Sequence, residues 1–342
     1  MIKGLINIVC NYSQEHNGLD FLEKHINLLD WKSLCRNKNI PVEFFEKHLN
    51  NLDWRILSKN TNIPVEFFEK HLSFIDWNSL SGNSNIPVEF FEKNLNRIDW
   101  SNLCGNENIP EEFFERHLDL INWCMLCVNR NISVKFFEKH LDLVDWYFLS
   151  SNSNIPVEFF EKYLNKISLY NISGNTNIPV KFFEKHLNYI GVFNWHNLCA
   201  NTNIPVEFFE KHLGLINWFQ ISKNPNIPIN FFEKHLGFIN LTSLSENTSI
   251  PVEFFEKHLE LIDWTYLSGN PNIPVEFFEK HLDLVVWEML SGNPNIPVEF
   301  FEKHINFIVW KSLSEGININ EQQKKYRESL NTMKIIAELL NQ

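Results

Sequence analysis

The chain has 342 residues, a formal net charge of −12, 44% hydrophobic residues and 21% charged residues. This composition favours a folded protein over a disordered one. The negative charge argues against non-specific nucleic-acid binding, which needs a basic surface, and no apolar run approaches the ~18 residues of a membrane span. The six cysteines show no disulfide framework, so a reducing compartment, the cytoplasm, is expected.

Residues 1–17 precede an internal repeat and are predicted to cap its amino-terminal end. From residue 18 to residue 320, one 23-residue unit recurs about thirteen times with the pattern Trp-x-x-Leu-Ser-x-Asn-x-Asn-Ile-Pro-x-x-Phe-Phe-Glu-Lys-His-Leu-x-x-Ile-Asp. All 11 tryptophans fall in one slot of this unit, and twelve Phe-Phe pairs fall in another. Repeats of this length stack to bury their apolar faces, so these two slots are expected to form one inter-repeat core.

The segment that follows the proline slot of each unit predicts an amphipathic helix. In one copy, Pro64 suits the first helical turn, where its missing N–H is not needed. Apolar residues from Phe67 to Ile75 recur at helical spacing, which predicts a helix of roughly ten to twelve residues. Glu66 and Lys70 lie on the opposite face, where they are expected to form an i,i+4 ion pair.

The segment that begins at the Asp-Trp slots predicts a shorter helix. Asp76 is a natural N-cap, and Trp77, Leu80 and Ser81 then share one buried face. This helix is expected to span one or two turns and to be partly 3-10. Helices this short are marginal in water and must pack on neighbouring copies. The predicted fold is therefore an all-α solenoid of two-helix repeats; a leucine-rich repeat fits the same period, but its Leu-x-Leu strand signature is absent.

Two regions depart from the regular repeat. Between residues 163 and 195 the chain loses a histidine at Tyr163 and a tryptophan at Leu169, and it carries a three-residue insertion at 191–193. We predict an irregular joint across 163–195. Residues 321–342 lack the repeat but have apolar residues at helical spacing from Leu330 to Leu340, which predicts a capping helix at the carboxyl-terminal end.

The repeat resembles known tandem-repeat arrays. Residues 53–68, Asp53-Trp54-x-x-Leu57-Ser58-x-Asn60-x-Asn62-Ile63-Pro64-x-x-Phe67-Phe68, look like repeats in uncharacterised proteins of giant viruses that infect amoebae. Segments such as 225–228, Pro-Asn-Ile-Pro, are also similar in outline to the leucine-rich repeat variant family. The resemblance covers roughly residues 18–320. It implies alternating α- and 3-10 helices in a right-handed superhelix, no catalytic residues and, for a viral source, a place in the host cytoplasm or the virion.

The polar slots of the repeat are interpreted as structural. One histidine recurs in most copies, but metal ligands must lie within about 4 Å of each other, whereas stacked helices lie about 8–10 Å apart. Cys124 and Cys127 form a single CxxC pair without further ligands, and Cys127 fills a slot for a small buried residue. The two asparagine slots are expected to form an internal ladder that closes the inter-repeat turns. We therefore expect no catalytic residue, no cofactor and no metal site.

The positions after each tryptophan vary most between copies and flank the short helix on its exposed side. The candidate partner contacts are Arg55, Ile56, Met125, Tyr147, Phe148, Phe219, Tyr266 and Met289. Aromatic residues and methionine are enriched at protein interfaces, and a solenoid with a constant frame and variable surface positions commonly binds an extended partner. Drift at an unconstrained surface explains the same variation.

The leading hypothesis for function is a non-enzymatic scaffold or adaptor that binds another, unidentified protein. It is taken as a monomer without a nucleic-acid or membrane partner. The alternative is a structural or assembly protein whose role is its elongated shape. An enzyme is disfavoured because no nucleophile, base or ligand set stands outside the repeat pattern. A repeat protein that reads RNA is disfavoured by the charge and by the lack of a basic column.

Overall fold

The computed structural model of the protein describes residues 22–24, 26–189, 194–309 and 312. The chain divides into two compact units at Asn177 and Ile178, and each unit is an array of the same helix pair. Within the described ranges every regular element is helical. The protein is therefore an all-α solenoid whose 23-residue copies pack neighbour to neighbour.

The predicted caps at 1–17 and 321–342 and the insertion at 191–193 lie outside the described residues. The boundary between the two units falls inside the region predicted as a joint, 163–195. A bend in that region stays a prediction.

One helix of each pair begins at the tryptophan slot, and we call these segments the tryptophan helices. In the first unit they are Trp31–Arg36, Trp54–Leu57, Trp77–Ser81, Trp100–Cys104, Trp123–Val128, Trp146–Leu149 and Leu169–Gly174. In the second unit they are Asn194–Ala200, Trp218–Lys223, Leu241–Glu246, Trp264–Gly269 and Trp287–Ser291. Within each unit, most successive tryptophan helices pack directly against each other.

The other helix carries the Phe-Phe pair, and we call these segments the phenylalanine helices. In the first unit they are Val42–Lys47, Val65–Lys70, Val88–Glu92, Glu111–Arg116, Val134–Lys139 and Val157–Lys162. In the second unit they are Val180–Lys185, Val206–Glu210, Ile229–Lys234, Val252–Lys257, Val275–Lys280 and Val298–Lys303.

Short 3-10 segments follow several phenylalanine helices. They are Leu49–Asn51 and Leu118–Leu120 in the first unit, and Leu187–Tyr189, Leu213–Leu215, Leu259–Leu261 and Ile305–Phe307 in the second. A further 3-10 segment, Ile26–Leu28, precedes the first tryptophan helix. In other copies the same stretch is a hydrogen-bonded turn, as where the N–H of Phe74 donates to the carbonyl of His71. The 3-10 geometry therefore follows the phenylalanine helix, whereas the tryptophan helices are α-helical.

The phenylalanine helix is shorter than the sequence predicted. Val65–Lys70 has six residues where ten to twelve were expected, because His71 leaves the helical region with φ −122° and ψ 34°. Pro64 lies at the N-cap with extended backbone, one position before the predicted first helical turn. The two helices of a copy are therefore of similar length. Together they take up about half of its residues, and turns take up the rest.

Capping by a side chain starts nearly every tryptophan helix. Oδ1 of Asp76 accepts a hydrogen bond of 2.8 Å from the N–H of Ser79, which confirms its predicted N-cap role. The same slot caps its helix through Asp30, Asp53, Asp99, Asn122, Asp145, Ser168, Asn217, Asn240 and Asp263. Val286 occupies this slot without a capping bond.

The Phe-Phe pairs form the core, as expected from the sequence. Both phenylalanines of each pair are buried, and so is the isoleucine before the proline slot. Complete burial of one such side chain is worth about 1.5–3 kcal/mol. Most tryptophans, in contrast, lie only half-buried at the edge of this core, where Trp54 stacks on Phe67 with ring centroids 5.6 Å apart. Trp195 is the one described tryptophan that is fully buried. The others also pack on a buried phenylalanine, so both slots contribute to the core, with tryptophan at its edge.

Candidate functional site

An inner ladder of buried asparagines joins each copy to the one before it. The Nδ2 of Asn152 donates to the carbonyls of Cys127 (2.9 Å) and Asn129 (3.0 Å), one copy earlier. Its Oδ1 accepts from the N–H of Asn154, 2.9 Å away. Equivalent bonds are made by Asn60, Asn83, Asn106, Asn129, Asn175, Asn224, Asn247, Asn270 and Asn293. The internal ladder predicted from the sequence is confirmed.

An outer ladder runs beside the inner one at the surface. The Nδ2 of Asn62 donates to the carbonyl of Lys38 over 2.9 Å, and Asn226 donates in the same way to Thr202 over 2.8 Å. Asn108, Asn131, Asn154, Asn272 and Asn295 repeat the contact. The two asparagine slots thus satisfy backbone carbonyls of the preceding copy, and this use leaves their amides little capacity for a ligand.

The serine slot also links neighbouring copies. The hydroxyl of Ser81 donates to the carbonyl of Trp77 (2.7 Å) and accepts from the N–H of Asp99 (3.0 Å), which begins the next tryptophan helix. Cys35, Cys104, Cys127 and Cys199 replace this serine and are completely buried. Burial raises the pKa of the Cys35 thiol to about 11 and that of Cys127 to about 12, so these thiols are poor nucleophiles near neutral pH. Their interpretation as small buried residues is confirmed.

The Glu-Lys-His triplet forms a third ladder, between copies. Lys70 pairs with Glu46 of the preceding copy over 3.3 Å, and Nε2 of His71 lies 3.4 Å from the other carboxylate oxygen. The i,i+4 pair predicted between Glu66 and Lys70 does not form. Lys70 is the last residue of its helix, and the preceding copy presents a closer carboxylate. Arg116 and Lys139 contact Glu92 and Glu115 in the same way.

The histidines of this ladder also pack on aromatic rings. The ring of His71 lies 4.8 Å from Phe67 and 6.0 Å from Trp54, between centroids. Tyr163 takes the same place beside Phe159 at 4.9 Å, and the amide of Asn94 donates instead to the carbonyl of Phe90. Packing against phenylalanine and contact with glutamate thus account for the recurrence of histidine in this slot, and no bound ligand is needed to explain it.

Cys124 is chemically separate from Cys127. Its thiol is half-buried and donates to Oδ2 of Asp145 over 3.1 Å. That hydrogen bond, with burial, raises the pKa of the Cys124 thiol. The short polar side chain after a tryptophan makes the same link in other copies, as where Thr242 donates to Asp263. The CxxC pair is therefore part of the repeat frame.

The variable positions form an exposed surface on the tryptophan helices. Tyr147 is 53% exposed, Phe219 44% and Tyr266 40%. Arg55, Met125 and Met289 are also exposed, whereas Ile56 and Phe148 are half-buried. Phe148 packs edge-on against Tyr147, with centroids 5.3 Å apart. Six of the eight predicted contacts are thus open to solvent, and we call the surface that these positions form within each unit the variable face.

A second set of exposed apolar residues was not predicted from the sequence. Twenty residues after each tryptophan slot lies a second variable position, and there Phe238 is 65% exposed while its ring stacks 5.3 Å from Trp218. Phe74 and Phe307 stack on Trp54 and Trp287 in the same way. Leu120, Leu143, Leu215 and Leu284 occupy the same exposed position. The sequence does carry a signal for this second column: large apolar residues recur two positions after the repeated His-Leu pair, as at Phe74 and Phe238.

A groove at the start of the variable face is strongly basic. Its volume is about 480 Å³, and it is lined by Lys32, Arg36, Lys38, Asp53, Arg55, Ile56, Lys59 and Asn60. Five of these eight residues are cations, although the chain as a whole carries −12. The sequence did not reveal this cluster because its members are spread over two copies and the total charge hides them.

No protein-family model, curated protein or solved structure matches the chain. Among the described helices, none is long and apolar enough to cross a bilayer. Groups of three or more His, Cys, Asp or Glu side chains placed to hold a metal ion do not occur in residues 22–24, 26–189, 194–309 and 312. Function is therefore inferred from the geometry of the array itself.

Proposed function

We propose that the protein is a non-enzymatic helical-repeat scaffold that binds another protein through the variable face of its tryptophan helices. The observation that carries this proposal is the exposure of Tyr147, Phe219 and Tyr266 at positions where several other copies hold small polar residues, such as Ser101 and Ser243. Large rings in contact with water are unfavourable unless a partner covers them, and aromatic residues are enriched at interface centres.

The proposal is supported by the different roles of recurring and variable side chains within the repeat. The recurring Asn, Ser, Glu, Lys and His side chains are engaged in bonds between copies. Side chains that vary between copies project from this fixed frame. A rigid frame with variable decoration keeps contact residues in register, so an extended partner can meet several copies at once.

The alternative role, a structural or assembly protein defined by its shape, needs no exposed aromatic residues on one face. We place the protein in the cytoplasm, or in the host cytoplasm if the chain is viral, because the five described cysteines are free thiols that suit a reducing compartment. It acts in this proposal as a monomer with no cofactor.

The test is affinity purification from the native cell with the full chain as bait. The variant Tyr147→Ala/Phe219→Ala/Tyr266→Ala truncates three exposed rings, and it is expected to lose at least nine-tenths of a specific partner that the unaltered chain captures. Each truncated hot-spot residue typically weakens an interface by about 1–2 kcal/mol or more, so three together suffice.

The matched control is Leu120→Ala/Leu143→Ala/Leu284→Ala, which truncates three similarly exposed apolar side chains in the second column. It is expected to retain the partner, and both variants are expected to keep the helical circular-dichroism spectrum. Identical sets of captured proteins for all three baits, or no specific protein at all, would refute a contact role for the variable face and favour the structural alternative.

A further inference from the structure

The basic groove joins two successive tryptophan helices. Lys32 and Arg36 extend from Trp31–Arg36, and Arg55 and Lys59 belong to the next helix and its end. Lys38 closes the groove from the turn between copies. Ile56 adds an apolar wall beside these charges. A volume of about 480 Å³ is far larger than the ~30 Å³ of a single water or a small ion, so the groove fits a segment of chain.

The five cations of the groove are unpaired within the described part of the chain. None of their side chains forms an ion pair with a described carboxylate, whereas the lysines of the Glu-Lys-His ladder do so copy after copy. Three carboxylates act on the groove. Asp53 lines it, Asp30 accepts a hydrogen bond from the backbone N–H of Lys32, and Asp76 lies close enough to Arg55 and Lys59 for their charges to act on it. Five cations against three carboxylates leave a local excess of positive charge.

Such an arrangement favours an anionic ligand. Like charges gathered in one groove repel each other, and a ligand that brings carboxylates relieves the repulsion. Arginine donates two parallel hydrogen bonds to a carboxylate, which lysine does not. Arg36 and Arg55, on successive helices, therefore provide two positions for paired recognition of carboxylates in one segment.

The surroundings favour a short peptide over a nucleic acid. Single-stranded nucleic acids need open aromatic rings for base stacking, but Trp31 stacks on Phe44, and Trp54 lies between Phe67 and Phe74. The basic stretch also ends after two copies. Asn78 and Ser101 replace Lys32 and Arg55 in the next two copies, and Gly82 and Gly105 replace Arg36 and Lys59.

We infer that this groove binds a short acidic peptide segment, rich in Glu or Asp, of the partner protein. The inference rests on the proposed scaffold function, since Arg55 and Ile56 belong to the same variable face, and it names the chemistry of the partner there. The cations of the groove attract the acidic segment. The carboxylates of the segment pair with Arg36 and Arg55, and the aliphatic parts of its side chains pack on Ile56.

Fluorescence anisotropy with the full chain tests the inference. The probes are a fluorescein-labelled oligo-glutamate peptide, an oligo-glutamine peptide of the same length and a poly-uridine oligonucleotide of equal charge. Binding of oligo-glutamate alone, weakening as salt rises, is the expected result. Arg55→Gln/Lys59→Gln is expected to raise its Kd at least fivefold.

The control Lys257→Gln/Lys280→Gln removes the same charge from the ladder in the second unit and is expected to change Kd less than twofold. An equal loss in both variants would show attraction to net charge alone, and no binding, or tighter binding of poly-uridine, would overturn the inference. The groove shares no residue with the triple variant at Tyr147, Phe219 and Tyr266. A failed peptide-binding experiment therefore leaves the aromatic test of the scaffold intact, and a failed aromatic test leaves the peptide-binding experiment intact.

Discussion

The inner asparagine is the residue on which the packing of one copy on the next depends most. Asn152 is almost completely buried and serves three backbone groups: it donates to two carbonyls and accepts from one N–H. Alanine at this position leaves those groups without partners in a place that water does not reach. An unsatisfied buried polar group costs about 1–3 kcal/mol.

We therefore expect Asn152→Ala to destabilise the array by about 2–4 kcal/mol. The matched control is Asn154→Ala, which removes one exposed bond to the carbonyl of Arg130 and is expected to cost about 0.5–1.5 kcal/mol. Because long repeat arrays do not always unfold in one step, native-state hydrogen exchange of the amides in the flanking copies is the proper measurement. Equal losses of protection in the two variants would contradict the central role of the inner ladder.

Single slots were the most predictable part of the molecule. The N-cap of Asp76, the asparagine ladder and the small buried residue at Cys127 all follow from local chemistry, which acts within a few residues. The partner of Lys70 could not be predicted in this way. Glu66 is its neighbour along the helix, but Glu46 is its neighbour in space, and the second relation exists only after the copies have stacked.

At the scale of the helix, the cap slot offers a direct test of how much one local bond stabilises a copy. Val286 has the same extended backbone as the other capping residues, with φ −90° and ψ 98°, but no side-chain acceptor. Val286→Asn supplies one, as Asn122 does in its own copy. We expect a gain of about 0.5–1 kcal/mol and a higher thermal midpoint.

Asp76→Ala is the reciprocal variant and is expected to cost about 1 kcal/mol by removing an existing cap. Asparagine is chosen for residue 286 because Glu288 lies in the first turn, where an aspartate would add repulsion. Thermal unfolding followed by circular dichroism measures both changes. A lower midpoint for Val286→Asn would mean that the half-buried valine contributes more through packing than the missing cap does.

Helix length was the least predictable property at this scale. Apolar spacing continues from Phe67 to Ile75, yet the helix ends at Lys70. Ile75 is buried although it lies beyond the turn that follows the helix. The hydrophobic periodicity thus continues past the end of the helix and does not indicate where the helix stops. The break at His71 is set by the need to return the chain to the next tryptophan helix within one copy, which is a property of the stack.

At the scale of the whole molecule, the candidate surfaces were predictable only in part. The positions after each tryptophan were identified because they vary within a constant frame. The basic groove and the second apolar column were not, because each gathers side chains from more than one copy, and these become neighbours only when the copies stack. The charge of −12 is an average over the chain and gave no indication of a local cluster of five cations.

The Glu-Lys-His ladder also belongs to this scale. Each exposed ion pair contributes little to the free energy of unfolding, but the pairs of all copies together contribute more. A hydrogen bond from Arg116, with His117, holds the pKa of Glu92 below its ordinary value, and Lys139 and His140 do the same for the pKa of Glu115. A carboxyl group whose pKa is lowered by folding stabilises the fold above its unfolded pKa, about 4.3. That contribution is lost as pH falls through the folded pKa.

We therefore expect the thermal midpoint to fall steeply as the pH is lowered from about 5 to about 3. In Glu46→Gln/Glu92→Gln/Glu115→Gln the midpoint should be lower at pH 5 and should change less with pH, because the groups whose pKa shifts are absent. The control is Glu66→Gln/Glu89→Gln/Glu158→Gln, which removes the same charge from positions without an ion pair to a described residue.

This control separates the ladder from simple net charge. Both triple variants reduce the acidic excess equally, so a pH response that arises from overall charge would flatten equally in both. If the pH dependence of the thermal midpoint arises from the ladder, it becomes weaker only in Glu46→Gln/Glu92→Gln/Glu115→Gln. Added salt should also weaken this pH dependence in the unaltered chain, because exposed ion pairs are screened. Parallel pH profiles for the two variants would show that the ladder is a consequence of stacking rather than one of its causes.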